Sequence, residues 1–137
     1  MLRKSIGIGK CELIGGVVKT DDRGILTIID SSLNFPFTPR RMFYVHEPRG
    51  KRGEHAHKYG SECIFVLSGS LTILVDDGRS SKSIRLVNPH EGIYLPPMIW
   101  SEQSNFSSNC IYAVLACGPY DEPGYIRSRQ EFDRITR

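Results

Sequence analysis

Two histidines one residue apart, with a carboxylate five positions further on, carry the most chemistry in this chain: RGEHAHKYGSE, residues 52–62, holds His55, His57 and Glu62. Imidazole exchanges protons near neutral pH, its unperturbed pKa being about 6.5, and it also ligates divalent metals. On an extended strand, residues i and i+2 face the same side, roughly 6.6 Å apart along the backbone. His55 and His57 therefore project together, Ala56 projects the other way, and a neighbouring strand that starts at Glu62 can approach them. Two chemistries suit such a group: general acid–base transfer by the imidazole pair, or a metal held by two histidines and a carboxylate. Clustered titratable groups favour chemistry over an ordinary strand. The other two histidines, His46 ahead of the EPRGKRG turn and His90 beside Pro89, read as solvated.

Arg40, Arg41, Arg49, Lys51 and Arg52 fall within thirteen residues and run directly into the histidine segment. Beside a histidine pair they suit an anionic ligand, because guanidinium groups grip phosphate in bidentate fashion. The net charge of +3 is too small for a general polyanion binder. With no basic stripe interleaved with aromatics, nucleic acid is not the expected partner; a small phosphorylated substrate is. Tyr44, Tyr94, Trp100, Tyr120 and Tyr125 are the aromatics placed to hold its organic part.

The elements that must position these residues are strands. Turn signals recur about every ten residues, separating GILTIID (24–30), RRMFYVHE (40–47), EHAHK, ECIFVLSG, SLTILVDDG, SIRLV, GIYLPP and CIYAVLACG. Leu71, Ile73 and Val75 alternate with Thr72 and Leu74, the period of a half-buried strand. Only the tail, DEPGYIRSRQEFDRITR, has helix-like spacing, with Ile126, Phe132 and Ile135 able to share a face. Eight or nine short strands within 137 residues predict one all-β domain over 1–137, a sandwich or barrel that closes its edges. The Gly-punctuated hairpins favour a jelly-roll barrel. Cys11, Cys63, Cys110 and Cys117 form no CxxC and read as reduced thiols. No run reaches transmembrane length and the N-terminus lacks a signal-type apolar core, so a cytoplasmic protein with no membrane partner is expected.

The spacing His-x-His, four residues, Glu, six residues, Gly (His55, His57, Glu62, Gly69) is similar to the first metal-binding motif of the cupin superfamily, whose fold is the double-stranded β-helix. Metal cupins complete the site with a later histidine. Here Ser101 stands at that position, so the reading is of a site without a metal. Over a longer span the chain resembles the nucleotide-sugar 3,4-ketoisomerases, cupin-fold enzymes acting on dTDP-4-keto-6-deoxyglucose. The matching pieces are DDRG (21–24), PFTPRRMFYV (36–45), RGEHAHK (52–58), VDDG (75–78), GIYLPPMIW (92–100), NFSSN (105–109) and YDEPGYIRSRQEF (120–132).

That resemblance implies a cytoplasmic homodimer with no metal or other cofactor, at work on the route to 3-amino-3,6-dideoxyhexoses of surface polysaccharides or glycosylated metabolites. It implies that His55 and His57 lie beside the sugar ring and that Arg23, Arg41 and Arg52 contact phosphate or nucleotide. Tyr44 is the expected hydrogen-bond donor to a developing enolate, and Glu62, Trp100 and Ser101 are expected to line the substrate site. The chain departs from the resemblance twice, with Glu62 where many relatives have Gln and Ser101 where they have His. A metal-dependent cupin enzyme using His55, His57 and Glu62, a nucleotide-sugar epimerase, and a non-catalytic sugar-nucleotide binding module remain the alternatives.

Overall fold

A computed structural model describes residues 1–137. Its strands are β1 (Leu2–Ser5), β2 (Glu12–Gly15), β3 (Val17–Asp21), β4 (Gly24–Ile28), β5 (Arg41–His46), β6 (Arg52–His57), β7 (Glu62–Ser68), β8 (Leu71–Asp76), β9 (Ser81–Leu86), β10 (Glu91–Leu95), β11 (Trp100–Ser104), β12 (Ile111–Ala116) and β13 (Tyr125–Ile126), followed by one helix, α1 (Arg129–Thr136). Two antiparallel sheets, ordered β1-β2-β10-β7-β12-β5 and β13-β6-β11-β8-β9, face each other, and β3 and β4 form a separate hairpin. The chain switches from sheet to sheet as it runs from β5 to β12. This is the cupin jelly-roll barrel that the sequence predicts, with its short C-terminal helix.

Alternation builds the core. Leu71, Ile73 and Val75 on β8 are fully buried, and they meet Ile64, Val66, Ile93, Val114 and Tyr112 from the opposite sheet. The outer faces are covered locally. Phe35 packs on Ile14, Cys63 and Phe65 behind the six-stranded sheet. Phe132 of α1 packs with Ala56, Trp100 and Ile126 behind the five-stranded one. The four thiols are free, as expected. No helix is long and apolar enough to cross a membrane.

The structure corrects the reading of the tail. Ile126 is not helical; it belongs to β13, paired with Ala56 of β6. The helix begins only at Arg129, where the Ser128 hydroxyl caps it by accepting the Glu131 N–H at 3.2 Å. Its apolar face is essentially Phe132, since Ile135 is exposed.

Candidate active site

His55 and His57 owe their aim to an irregularity in β6. Opposite Ser101 and Glu102 of β11 the register slips by one residue, and Gly53 and Glu54 both take positive φ (79° and 57°). A bulge of this kind re-aims the side chains that follow it. Glycine suits position 53, where φ is positive and a Cβ would lie 2.7 Å from Oε1 of the buried Gln103. Beyond the bulge Ala56 is buried against Trp100 and Phe132 behind the sheet, and the two histidines face into the barrel mouth. Their rings meet edge to face, with centroids 4.9 Å apart.

Each imidazole is held differently. His55 Nδ1 lies 2.9 Å from the Gly53 carbonyl. A carbonyl only accepts, so Nδ1 carries the proton and Nε2 is left as the basic nitrogen. His57 Nε2 sits 3.1 Å from Glu62 Oε1. The contact lacks the alignment of a hydrogen bond, and this buried nitrogen has no partner. Burial pushes the His55 imidazole below its ordinary value; the Gly53 carbonyl opposes that shift, and the charges of His57 and Arg127 reinforce it. His55 therefore stays neutral at pH 7, ready to take a proton.

Two cavities that share Glu62 and Tyr125 in their walls open beside the pair. The larger, about 420 Å³, is lined by His57, Glu62, Arg41, Tyr59, Tyr120 and Tyr125. The smaller, about 80 Å³, reaches His55, Arg52, Ser101, Gln103 and Tyr112. Arg41 and Arg52 form no ion pair with any carboxylate, whereas Lys51 is bound to Glu102 at 3.2 Å. The Nε of Arg41 is buried without a hydrogen-bond partner. Unpaired guanidinium groups at the edge of a cavity are what an incoming anion requires.

Of the residues expected at the site, the structure brings together His55, His57, Glu62, Arg41, Arg52 and Ser101. It does not bring in three others. Tyr44 is 60% exposed on the outer face of β5, because Arg41, Phe43 and Val45 take the inner one. Trp100 faces α1; it is 2% exposed, its ring is tilted against Phe132 with centroids 5.8 Å apart, and its indole N–H donates to Glu102 at 2.8 Å. Arg23 is at the hairpin tip, paired with Asp21 at 2.7 Å and lining neither cavity. Sequence reasoning counted Tyr125 only among aromatics that hold a ligand, yet its ring lies 4.8 Å from that of His55 and 4.4 Å from that of His57. Gln103 and Tyr112, buried in the smaller cavity, gave no signal beyond strand alternation.

His55, His57 and Glu62 place one ligand atom each within 4.8 Å of one another. That donor set fits a divalent transition ion, and the buried, unpartnered Nε2 of His57 fits it too. The short Ser101 hydroxyl accepts from Gln103 Nε2 at 3.2 Å and extends no fourth ligand of the usual kind.

The family model FdtA, described as WxcM-like, C-terminal, matches residues 9–137. The chain belongs to the FdtA family. Outside that model, a TDP-4-oxo-6-deoxy-alpha-D-glucose-3,4-oxoisomerase of Aneurinibacillus thermoaerophilus is 39% identical over 116 residues, covering 83% of this FdtA-family chain and 84% of the relative. A crystal structure of a 3,4-ketoisomerase from Helicobacter canadensis is 34% identical, with a TM-score of 0.88, over 92% of this chain and 96% of that one. A histidine-to-asparagine mutant of the 3,4-ketoisomerase QdtA from Thermoanaerobacterium thermosaccharolyticum, in complex with TDP-4-keto-6-deoxyglucose, is 30% identical, with a TM-score of 0.88, over 92% of this chain and 93% of that one.

Proposed function

We propose that this chain is a TDP-sugar 3,4-ketoisomerase that moves the ketone of a dTDP-linked 4-keto-6-deoxyhexose from C4 to C3. The observation that carries the reading is the pair of inward-facing imidazoles beside an unpaired Arg41, in a chain 39% identical to a protein of that activity. The carbonyl at C4 acidifies the C3 hydrogen. His57, whose buried Nε2 has no partner and lines the larger cavity, takes that proton. The C3 hydroxyl proton passes to the C4 oxygen, which becomes the hydroxyl as C3 becomes the new carbonyl, and His57 returns its proton at C4. Protons taken and returned balance. His55, with Nδ1–H fixed on the Gly53 carbonyl, presents a bare Nε2 that shuttles the oxygen proton. Arg41 and Arg52 hold the diphosphate. General acid–base help contributes roughly 10²–10⁴-fold; holding the ring against the pair by the bound nucleotide supplies the rest.

The test is incubation with dTDP-4-keto-6-deoxyglucose in deuterated water, followed by NMR. The expected result is deuterium wash-in together with a new 3-keto species. His57→Asn abolishes turnover while dTDP binding survives; normal turnover by that variant would overturn the assignment. Epimerisation without ketone transfer, or binding without conversion, would favour the epimerase or the binding module. The metal-dependent reading has one observation in its favour, the three clustered donors. Near-stoichiometric iron, manganese or zinc in freshly purified protein would support it.

The functional unit is a homodimer in the cytoplasm. The support lies in the β3–β4 hairpin, which pairs with neither sheet and exposes Val18, Ile25 and Leu26. An isolated two-stranded hairpin is marginal in water and calls for a second copy.

A further inference from the structure

We propose that Tyr125, backed by Arg127 and Glu122, is a positioning residue whose ring fixes the orientation of both imidazoles. The inference rests on His55 and His57 being the proton-transfer pair. Tyr125 opens β13 and pairs with His57, while Ile126 pairs with Ala56. Ile126 is buried behind the sheet with Ala56, Trp100 and Phe132. Strand alternation therefore turns Tyr125 inward, where its ring spans the pair at 4.8 Å and 4.4 Å. Three rings in mutual contact leave each imidazole little room to rotate.

The ring is itself held from outside. The Arg127 guanidinium carbon lies 4.3 Å from the Tyr125 centroid, in the range of a cation–π contact. Glu122 grips Arg127 in bidentate fashion at 2.6 Å and 2.8 Å and also accepts the Tyr120 hydroxyl. Lys58 N–H donates to the Gly124 carbonyl at 2.8 Å, tying this turn to the end of β6.

Stability alone does not explain the arrangement. Arg127 and Glu122 are each 50% exposed, and exposed pairs contribute little to folding. The tail is already anchored by Ile126 and Phe132. What the arginine does is fix the ring and set a positive charge against His55. The other charged and titratable groups around the imidazoles are Glu62 from β7, Arg41 from β5, Arg52 from β6 and Tyr112 from β12. Arg127 is the one that acts through the tyrosine.

The test compares the full chain with Arg127→Gln, Tyr125→Phe and Tyr125→Ala. It uses steady-state kinetics on dTDP-4-keto-6-deoxyglucose, thermal melting, and side-chain ¹H–¹⁵N NMR spectra of the histidines without substrate. Arg127→Gln melts like the parent and keeps its KM, while kcat falls about 10- to 100-fold. Without the cation the Tyr125 ring is no longer held against the pair, so the histidine ring resonances move from their parental positions. Tyr125→Phe keeps the ring and stays near parental kcat; Tyr125→Ala loses about 100-fold. Parental kcat and parental histidine resonances in Arg127→Gln would overturn the proposal. So would Tyr125→Phe as inactive as Tyr125→Ala, which would give the hydroxyl a chemical step. If the parent does not isomerise the sugar, the isomerase reading fails alone. The substrate-free spectra then decide the positioning role, and histidine resonances unmoved in Tyr125→Ala and Arg127→Gln would end it.

Discussion

At the scale of residues, the site depends on keeping an imidazole uncharged in a polar pocket. His55 lies below its ordinary pKa chiefly because it is buried. The unfolded chain takes up that proton near pH 6.5, whereas the folded chain resists it. Stability from this residue is thus complete above about pH 6.5 and declines as the pH falls towards the folded value. The carboxylates of Asp21, Asp77 and Glu122 are all depressed, from ordinary values of 3.8, 3.8 and 4.5, so their contributions fade only at lower pH. Urea midpoints measured at pH 7.5 and 5.0 should therefore fall on acidification, and His55→Gln should flatten the difference. The pair was legible in the sequence because alternation is a local rule: two residues apart means one face. Tyr44 and Trp100 failed the same rule for want of one fact, which side of each strand faces inward. Arg41 and Phe43 claim the inner face of β5 and Ser101 that of β11, and nothing in those short segments announces it.

Among the elements, the strands with large alternating side chains could be read, and the polar ones could not. WSEQS, which forms β11, has no large alternating side chains to mark it as a strand, yet Ser101 and Gln103 are 3% and 5% exposed, and Gln103 Nε2 donates to the Ser101 hydroxyl along the inner face of β11. β13 is two residues long and exists only through its pairing with β6. The helix behind it has too few turns to persist alone, so its anchors decide it. Phe132 is completely buried. Arg129 reaches the buried Asp76 of β8, and Arg137 Nε donates to the Gly78 carbonyl at 2.7 Å. Phe132→Ala should cost about 3–5 kcal/mol and, by loosening the β13 segment upstream, should also lower kcat. Ser128→Ala removes only the cap, at about 1 kcal/mol, and should leave turnover intact. Urea unfolding beside initial rates separates the two effects. Equal stability loss in both variants would show that the cap holds the helix as firmly as the aromatic anchor does.

For the molecule as a whole, the accessible surface of 7784 Å² exceeds the roughly 7,200 Å² expected of a compact 15.5 kDa monomer. The excess has an address. The β3–β4 hairpin adds surface without adding core: Ile25 is 71% exposed and Leu26 58%, on strands whose outer edges pair with nothing. β5 is likewise an edge strand, with Met42 59% exposed on it. Exposed apolar side chains on open strand edges invite pairing with another chain, and a stable partner covers about 800 Å² per subunit. Both surfaces belong to the same molecule, so a second copy can satisfy them with closed two-fold symmetry. Ile25→Asp combined with Leu26→Lys should therefore halve the mass seen by light scattering, while His55 and His57 keep their NMR signatures because the barrel core is untouched. Met42→Lys, on the other surface, should lower the mass in the same direction. A parental mass in both variants would place the interface elsewhere and leave the hairpin as an arm without a partner.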